Sequence, residues 1–201
     1  MASAGNLSAF IACLTLGFPV FAEEPLPIKP GATLEATLTG GESAFYVFTV
    51  AANHYLEFQV EQIGIDVAVR LLDSQGKLLF EVDSPNGSFG PEPVFWITGD
   101  DGGHRLEVLA PNKRAAPGRY RLLFQTNRPA AEQDKNAVAG QRAYLEALKL
   151  GTAGKYAAAD EKYDDAIARL NSAGKKRLAA QVMRVYDGLQ PRRQAAGLRQ
   201  L

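Results

Sequence analysis

With 201 residues, 46% of them apolar and 22% charged, the chain has the balance of a soluble globular protein with room for one ordinary domain or two small ones. Residues 1–129 carry nine Lys/Arg against 14 Asp/Glu, and residues 130–201 carry 13 against eight, so a neutral total hides segments of net −5 and +5. The cations of the basic half alternate with acids and form no aromatic-interleaved run, which argues against a nucleic-acid interface.

The first 22 residues contain no charged side chain, and residues 9–22 (AFIACLTLGFPVFA) are almost wholly apolar up to Glu23 and Glu24. The run is shorter than the roughly 20 apolar residues that a spanning helix requires. Val20-Phe21-Ala22 has the small final residue of a signal-peptidase site, although the n-region lacks Lys and Arg. The pattern predicts a secretory signal over 1–22, and a periplasmic or secreted mature chain that meets the membrane only during export. The alternative is an uncleaved apolar arm buried against the fold. The single cysteine, Cys13, lies inside this run, and the apolar residues after it make it a poor lipid-attachment site. Cleavage leaves no thiol, so the mature chain has neither disulfides nor Cys-based metal sites.

From residue 26 to residue 125 apolar residues alternate with period two, punctuated by Gly, Pro, Asn and Asp. Leu34, Ala36 and Leu38 share one face, and Tyr46, Phe48 and Val50 oppose Phe45, Val47 and Thr49. Further strands are predicted at Tyr55–Val60, Asp66–Leu72, Lys77–Val82, Val94–Thr98, His104–Leu109 and Arg119–Gln125. Turns are expected at Gly40-Gly41, Asp73 to Gly76, Ser84 to Gly87, Asp101 to Gly103 and Ala116 to Gly118. About eight short strands without a helix between them predict an antiparallel, jelly-roll-like β-sandwich over 23–128.

After Pro129 the period becomes helical. Val138, Tyr144, Leu145, Leu148 and Leu150 form a stripe on a first helix, Ala130–Leu150. Breaks at Gly151 to Gly154 and Asn171 to Gly174 delimit a second helix, Lys155–Leu170, and a third, Lys175–Leu189, which Pro191 should stop. Short turns make the three antiparallel, so 129–201 reads as an all-α hairpin plus one helix.

Two stretches resemble known families. GIDVAVRLLDSQGKLLFEVDSPNGSFGPEPVFW, preceded by LEATLTGGESAFYVFTV and followed by GGHRLEV and GRYRLLF, is similar to the bacterial pre-peptidase C-terminal β-sandwich. It looks most like the version at the N-terminus of exported tetratricopeptide proteins, some of which end in a caspase-like CHAT peptidase domain. The resemblance covers roughly 28–127 and implies a binding or accessory module. Gly154-x-Tyr156-x-x-Ala159-x-x-x-Tyr163-x-x-Ala166, with Ala143 and Ala147 on the preceding helix, resembles a tetratricopeptide repeat without its closing Pro. The CHAT peptidase part is not expected here, because no His and Cys pair exists to form its dyad.

Candidate chemistry is sparse. His54 and His104 lack partners at metal or general-base spacing, which favours surface or turn roles. Ser88, between Gly87 and Gly90, sits in a turn with no helix after it, so it is expected to be a hairpin residue rather than a nucleophile. Asn86-Gly-Ser88 also spells a glycosylation sequon, which matters only in a eukaryotic secretory route. Asp100 and Asp101, adjacent in a Gly-rich loop, are the best calcium candidates, with turn capping the default for them as for Asp66, Asp73 and Asp83. Phe89, Phe95 and Trp96 could form an aromatic platform, but Phe95 and Trp96 must face opposite sides of a strand.

The expectation is an exported, non-catalytic accessory protein without a cofactor, binding protein partners through the sandwich and the helices. The alternatives are a carbohydrate-binding module and the N-terminal regulatory fragment of a CHAT-type peptidase. The helical segment reads as an incomplete array with an unburied apolar face, so Tyr156, Tyr163, Leu178, Val182, Met183, Tyr186 and Leu189 are the expected contact surface.

If the N-terminal reading holds, the exported protein begins at Glu23. Intact-mass measurement of protein recovered from the periplasm or medium checks this. Protein found in the cytoplasm with Met1 retained overturns it.

Overall fold

A computed structural model describes residues 24–197, so the expected signal peptide and Cys13 lie outside the described residues. The alternating segments form nine strands: β1 Leu26–Pro27, β2 Thr33–Leu38, β3 Ser43–Val50, β4 His54–Ile63, β5 Ala68–Leu72, β6 Leu78–Val82, β7 Phe89–Ile97, β8 Gly102–Leu109 and β9 Gly118–Pro129. They are followed by α1 Glu132–Thr152, α2 Tyr156–Ser172 and α3 Lys176–Gly197. Among the described residues no helix is long and apolar enough to cross a membrane.

The sheets run β1-β3-β8-β5-β6 and β2-β9-β4-β7. Strands β2 to β9 thus follow the jelly-roll order, with every pairing among them antiparallel. The sequence reading missed β1, which pairs parallel to the middle of β3 through Leu26 and Tyr46. The alternation holds where predicted: Tyr46, Phe48 and Val50 are buried. Between the sheets Phe58 stacks on Phe124 at 4.2 Å and Phe48 packs on both, while the Tyr46 and Tyr120 hydroxyls share a 2.6 Å hydrogen bond inside the core.

Two turn assignments fare differently. At Asp73 the carboxylate accepts from the Gln75 and Lys77 amides and Gly76 has φ +80°, as a hairpin between β5 and β6 requires. The segment from Ser84 to Ser88, by contrast, carries the chain from one sheet to the other and is not a hairpin, because β6 and β7 belong to different sheets. Ser88 is therefore a residue of a crossing connection.

The helices stand on the outer face and edge of the smaller sheet. On α1 the buried residues are chiefly Ala137, Gly140, Ala143, Tyr144 and Ala147, whereas Val138, Leu145, Leu148 and Leu150 of the predicted stripe are half-buried. Small side chains let α2 approach closely: a Cβ on Gly140 would stand 2.9 Å from Leu170 Cγ. Ala159, Tyr163, Ala166 and Leu170 fill the α2 side of that contact. The α3 backbone continues helical through Pro191, which corrects the expected stop. Proline removes one amide donor and crowds the preceding turn, a local cost that a helix already docked over Leu178, Ala179 and Val182 absorbs.

Strand β7 is an edge, so one row of its backbone groups faces away from the sheet. Gln141 of α1, 1% exposed, fills that position: its Oε1 accepts from the Phe95 amide at 2.8 Å and its Nε2 donates to the Pro93 carbonyl. Two further links flank it. Arg128 makes a two-pronged ion pair with Asp134 at 2.7 and 2.9 Å while lying over Tyr55, and Asp134 also accepts from the Ala131 amide at the start of α1. Lys175, before α3, bonds Glu57 at 2.6 Å and lies 4.9 Å from the Phe95 ring centre.

Gln141→Leu keeps the side-chain bulk but orphans a buried amide and a buried carbonyl. It should lower unfolding stability by about 2–4 kcal/mol, against less than about 0.5 kcal/mol for the exposed Gln133→Leu. Equilibrium denaturation checks both, and equal effects would refute the role given to Gln141.

Candidate functional site

The main cavity lies where the β6–β7 connection faces the helices. It has a volume of about 710 Å³ and is lined by Pro85, Asn86, Phe89, Gly90 and Pro91 on the sandwich side. The helical side consists of Leu148, Gly151, Thr152 and Tyr156 with Tyr163, and of Gln181, Arg184, Val185, Gly188 and Leu189 from α3. The size is that of a small-molecule site. Phe89 at 68% exposure, Tyr156 at 40% and, elsewhere on α3, Met183 at 47% are the large apolar side chains left open in this region.

The expected contact surface divides. Tyr163, Leu178 and Val182 are buried in the helix packing, Tyr163 bordering the cleft, and are not the exposed face that was expected. They are covered because α3 docks on α2 and the α2–α3 turn docks on the sandwich through Lys175. Tyr186 stacks on Tyr163 at 4.9 Å and is half-buried like Leu189. Tyr156 and Leu189 line the cleft, and Met183 does not.

The sandwich wall of the cleft rests on polar residues that the sequence reading did not single out. Glu92 is fully buried; its carboxylate accepts from the Ser84 amide at 3.0 Å and from Gln62 Nε2 at 3.3 Å. Gln62 also donates to Asn86 at 2.7 Å and accepts from the Val67 amide at 2.6 Å. Asn86 in turn donates to the Pro91 carbonyl, so both ends of the sequon amide are engaged in holding the connection. Burial pushes the Glu92 carboxyl up to about 7, against the hydrogen bonds from Ser84 and Asn86 that lower it. A pattern of strand residues gives no sign of such a group, because an inward Glu on an edge strand reads as solvent-facing.

The other candidates occupy structural positions. Asp101 accepts from the Ala52 amide at 2.6 Å, a turn-capping bond, and Asp100 is exposed beside it. Among the described residues no three His, Cys, Asp or Glu side chains converge. His54 Nδ1 bonds the Asn127 side chain at 2.7 Å. His104 is buried and stacks on Phe48, not exposed in a turn as expected, because it falls on the inward face of β8. Phe95 is covered by Lys175, and Trp96 has Arg142 5.0 Å from its ring centre, so the sandwich aromatics form no open platform.

No family model and no curated protein matches the chain. Similar solved structures include Aeromonas hydrophila PliG, a periplasmic lysozyme inhibitor of g-type lysozyme, at 12% identity and TM-score 0.41, covering 49% of this chain and 91% of that one. The pre-peptidase C-terminal domain of collagenase from Bacillus anthracis is similar at 23% identity and TM-score 0.39, with 50% and 94% covered. A structure titled CBM4 structure and function follows at 10% identity and TM-score 0.34, with 48% and 71% covered. Each likeness spans about half of this chain.

Because Glu92 is held above its ordinary value of 4.5 when folded, its contribution to stability is full below that value and is lost as the pH rises through about 7. The stability difference between wild type and Glu92→Gln should therefore drift against the wild type by about 3 kcal/mol between about pH 5 and pH 8. Denaturation series at both ends of that range measure it, and a difference independent of pH would refute the assignment.

Proposed function

We propose that this chain is an exported, non-catalytic binding protein and that the cleft between the β6–β7 connection and the helices is its binding site. The observation that carries the reading is the cleft itself: a cavity of about 710 Å³ with mostly apolar walls, lined by the sandwich on one side and the helices on the other. The links at Gln141, Arg128 and Lys175 hold those layers together, so the cleft is formed before a ligand arrives. The non-catalytic part rests on the histidines, which are engaged with Asn127 and with the Gly102 carbonyl, and on Ser88, which lies in a connection.

The α1–α2 pair is proposed to be tetratricopeptide-like, supported by the small residues Ala143, Ala147, Ala159 and Ala166 at the contact and by Tyr163 beside them. A protein partner would use the rim, where Phe89 and Tyr156 are exposed.

Gly188 provides the test. It lines the cleft, and a Cβ placed on it meets nothing within 4 Å, so Gly188→Trp should fill the space while α3 stays folded. Wild type is expected to bind anilinonaphthalene sulfonate saturably, with bright fluorescence, and Gly188→Trp to lose most of that signal at an unchanged melting temperature. Equal binding by the variant would place the apolar site elsewhere and overturn the reading.

A further inference from the structure

Apolar groups dominate the cleft wall, and among the described residues the only charged one lining it is Arg184. Arg184 is exposed at the mouth and makes no ion pair among the described residues. Three positions earlier on the same helix, Gln181 also lines the cleft, and its Nε2 is buried with no hydrogen-bond partner among the described residues. Positions three apart share a helix face. Gln181, with its unpaired amide donor, and Arg184 therefore both border the apolar cavity from one face of α3, and no carboxylate among the described lining residues serves either. A buried donor without an acceptor is unfavourable until an acceptor arrives.

We infer that the cleft takes an amphiphile, a monocarboxylate on a long apolar body, and this rests on the cleft being the binding site. One carboxylate oxygen accepts from Gln181 Nε2 and the other from the Arg184 guanidinium, while the apolar body lies along Phe89, Leu148, Val185 and Leu189. The arrangement matches the charge, since Arg184 at the mouth suits a carboxylate head, and a charged head stays wet while its chain leaves water.

A peptide fits less well. Each of its residues brings an N–H and a C=O that must be bonded on burial. The strand edge beside the cleft has little to offer them: Gln141 already holds the Phe95 amide and the Pro93 carbonyl, Asn86 holds the Pro91 carbonyl, and neither proline has an amide hydrogen. A hydrocarbon chain makes no such demand.

The test is calorimetric titration of the mature full chain with dodecanoate and with uncharged dodecanol, using wild type, Arg184→Gln and Gly188→Trp. Dodecanoate is expected to bind wild type at one site and more tightly than dodecanol. Arg184→Gln should weaken dodecanoate by about tenfold or more and leave dodecanol unchanged. Gly188→Trp should abolish both. Dodecanol binding as tightly as dodecanoate, or an unchanged dodecanoate affinity in Arg184→Gln, would overturn the carboxylate pairing while leaving the cleft as the site. Absence of dodecanoate binding would also overturn the inference, and binding instead of a peptide with apolar C-terminal residues, sensitive to Gly188→Trp, would show that the cleft takes peptides. Dodecanoate binding undiminished in Gly188→Trp would remove both the inference and the cleft reading.

Discussion

An edge strand cannot be left with its backbone groups unbonded in a buried place, and the architecture turns on how β7 meets that requirement. Its outward amide at Phe95 and carbonyl at Pro93 face helix α1, where one side-chain amide supplies an acceptor and a donor at the spacing a neighbouring strand would offer. Gln141 thus acts as a single residue of an absent strand. Because its bonds are directional, α1 can sit on the sandwich in only one axial and rotational position. The position of α1 sets that of α2 through the Gly140 contact, and α2 sets α3, so the far wall of the cleft is located by a bond made on its near side.

The ionic links around this contact act differently. Arg128 is 44% exposed in its ion pair with Asp134, where solvent screens much of the attraction. Burial alone would raise the Asp134 carboxyl, yet Arg128 and the Ala131 amide hold it below the usual carboxylate range. The gain is mainly geometric: the carboxylate ties the end of β9 to the first turn of α1 across a short linker. Lys175 does the same for the α2–α3 turn, with Glu57 fixing its charge and Phe95 and Tyr55 its stem. A link at each end of the helical layer leaves it little freedom to rock.

Much of the sandwich was legible because burial on one face imposes alternation, as at Tyr46, Phe48 and Val50. What alternation does not encode is which sheet a strand joins. Ser84 to Gly87 has the residues of a tight turn, and the chain does bend there, but toward the other sheet. Strand β7 begins at Phe89, five residues before its predicted start, because Pro91 and Pro93 read as strand breakers, while an edge tolerates prolines. β1 is two residues long, too short for any period. The stripe on α1 faces the cores as expected, with Tyr144 buried, but its deepest positions are small ones, the expected Ala143 and Ala147 together with Ala137 and Gly140, because close approach selects Ala and Gly over Leu. Gln62, Glu92 and Gln141 were invisible for a common reason: a polar residue at a buried position matches the pattern of a solvated one until its partner, often dozens of residues away, is known. The cleft shares this property, since its walls come from residues 85–91 and residues 148–189, far apart in the chain.

The cover over β7 also has a place in time. Gln141 lies 46 residues beyond the Phe95 amide that it holds, so the pairing of β7 with β4 and the docking of α1 are separate events with an interval between them. During it the edge beside Tyr55 and Phe95 has neither its side-chain bonds nor its helical roof. Two prolines in that strand, at 91 and 93, leave few amides for a passing strand to pair with. They make the uncovered edge a poor template for aggregation until the helices arrive to close it.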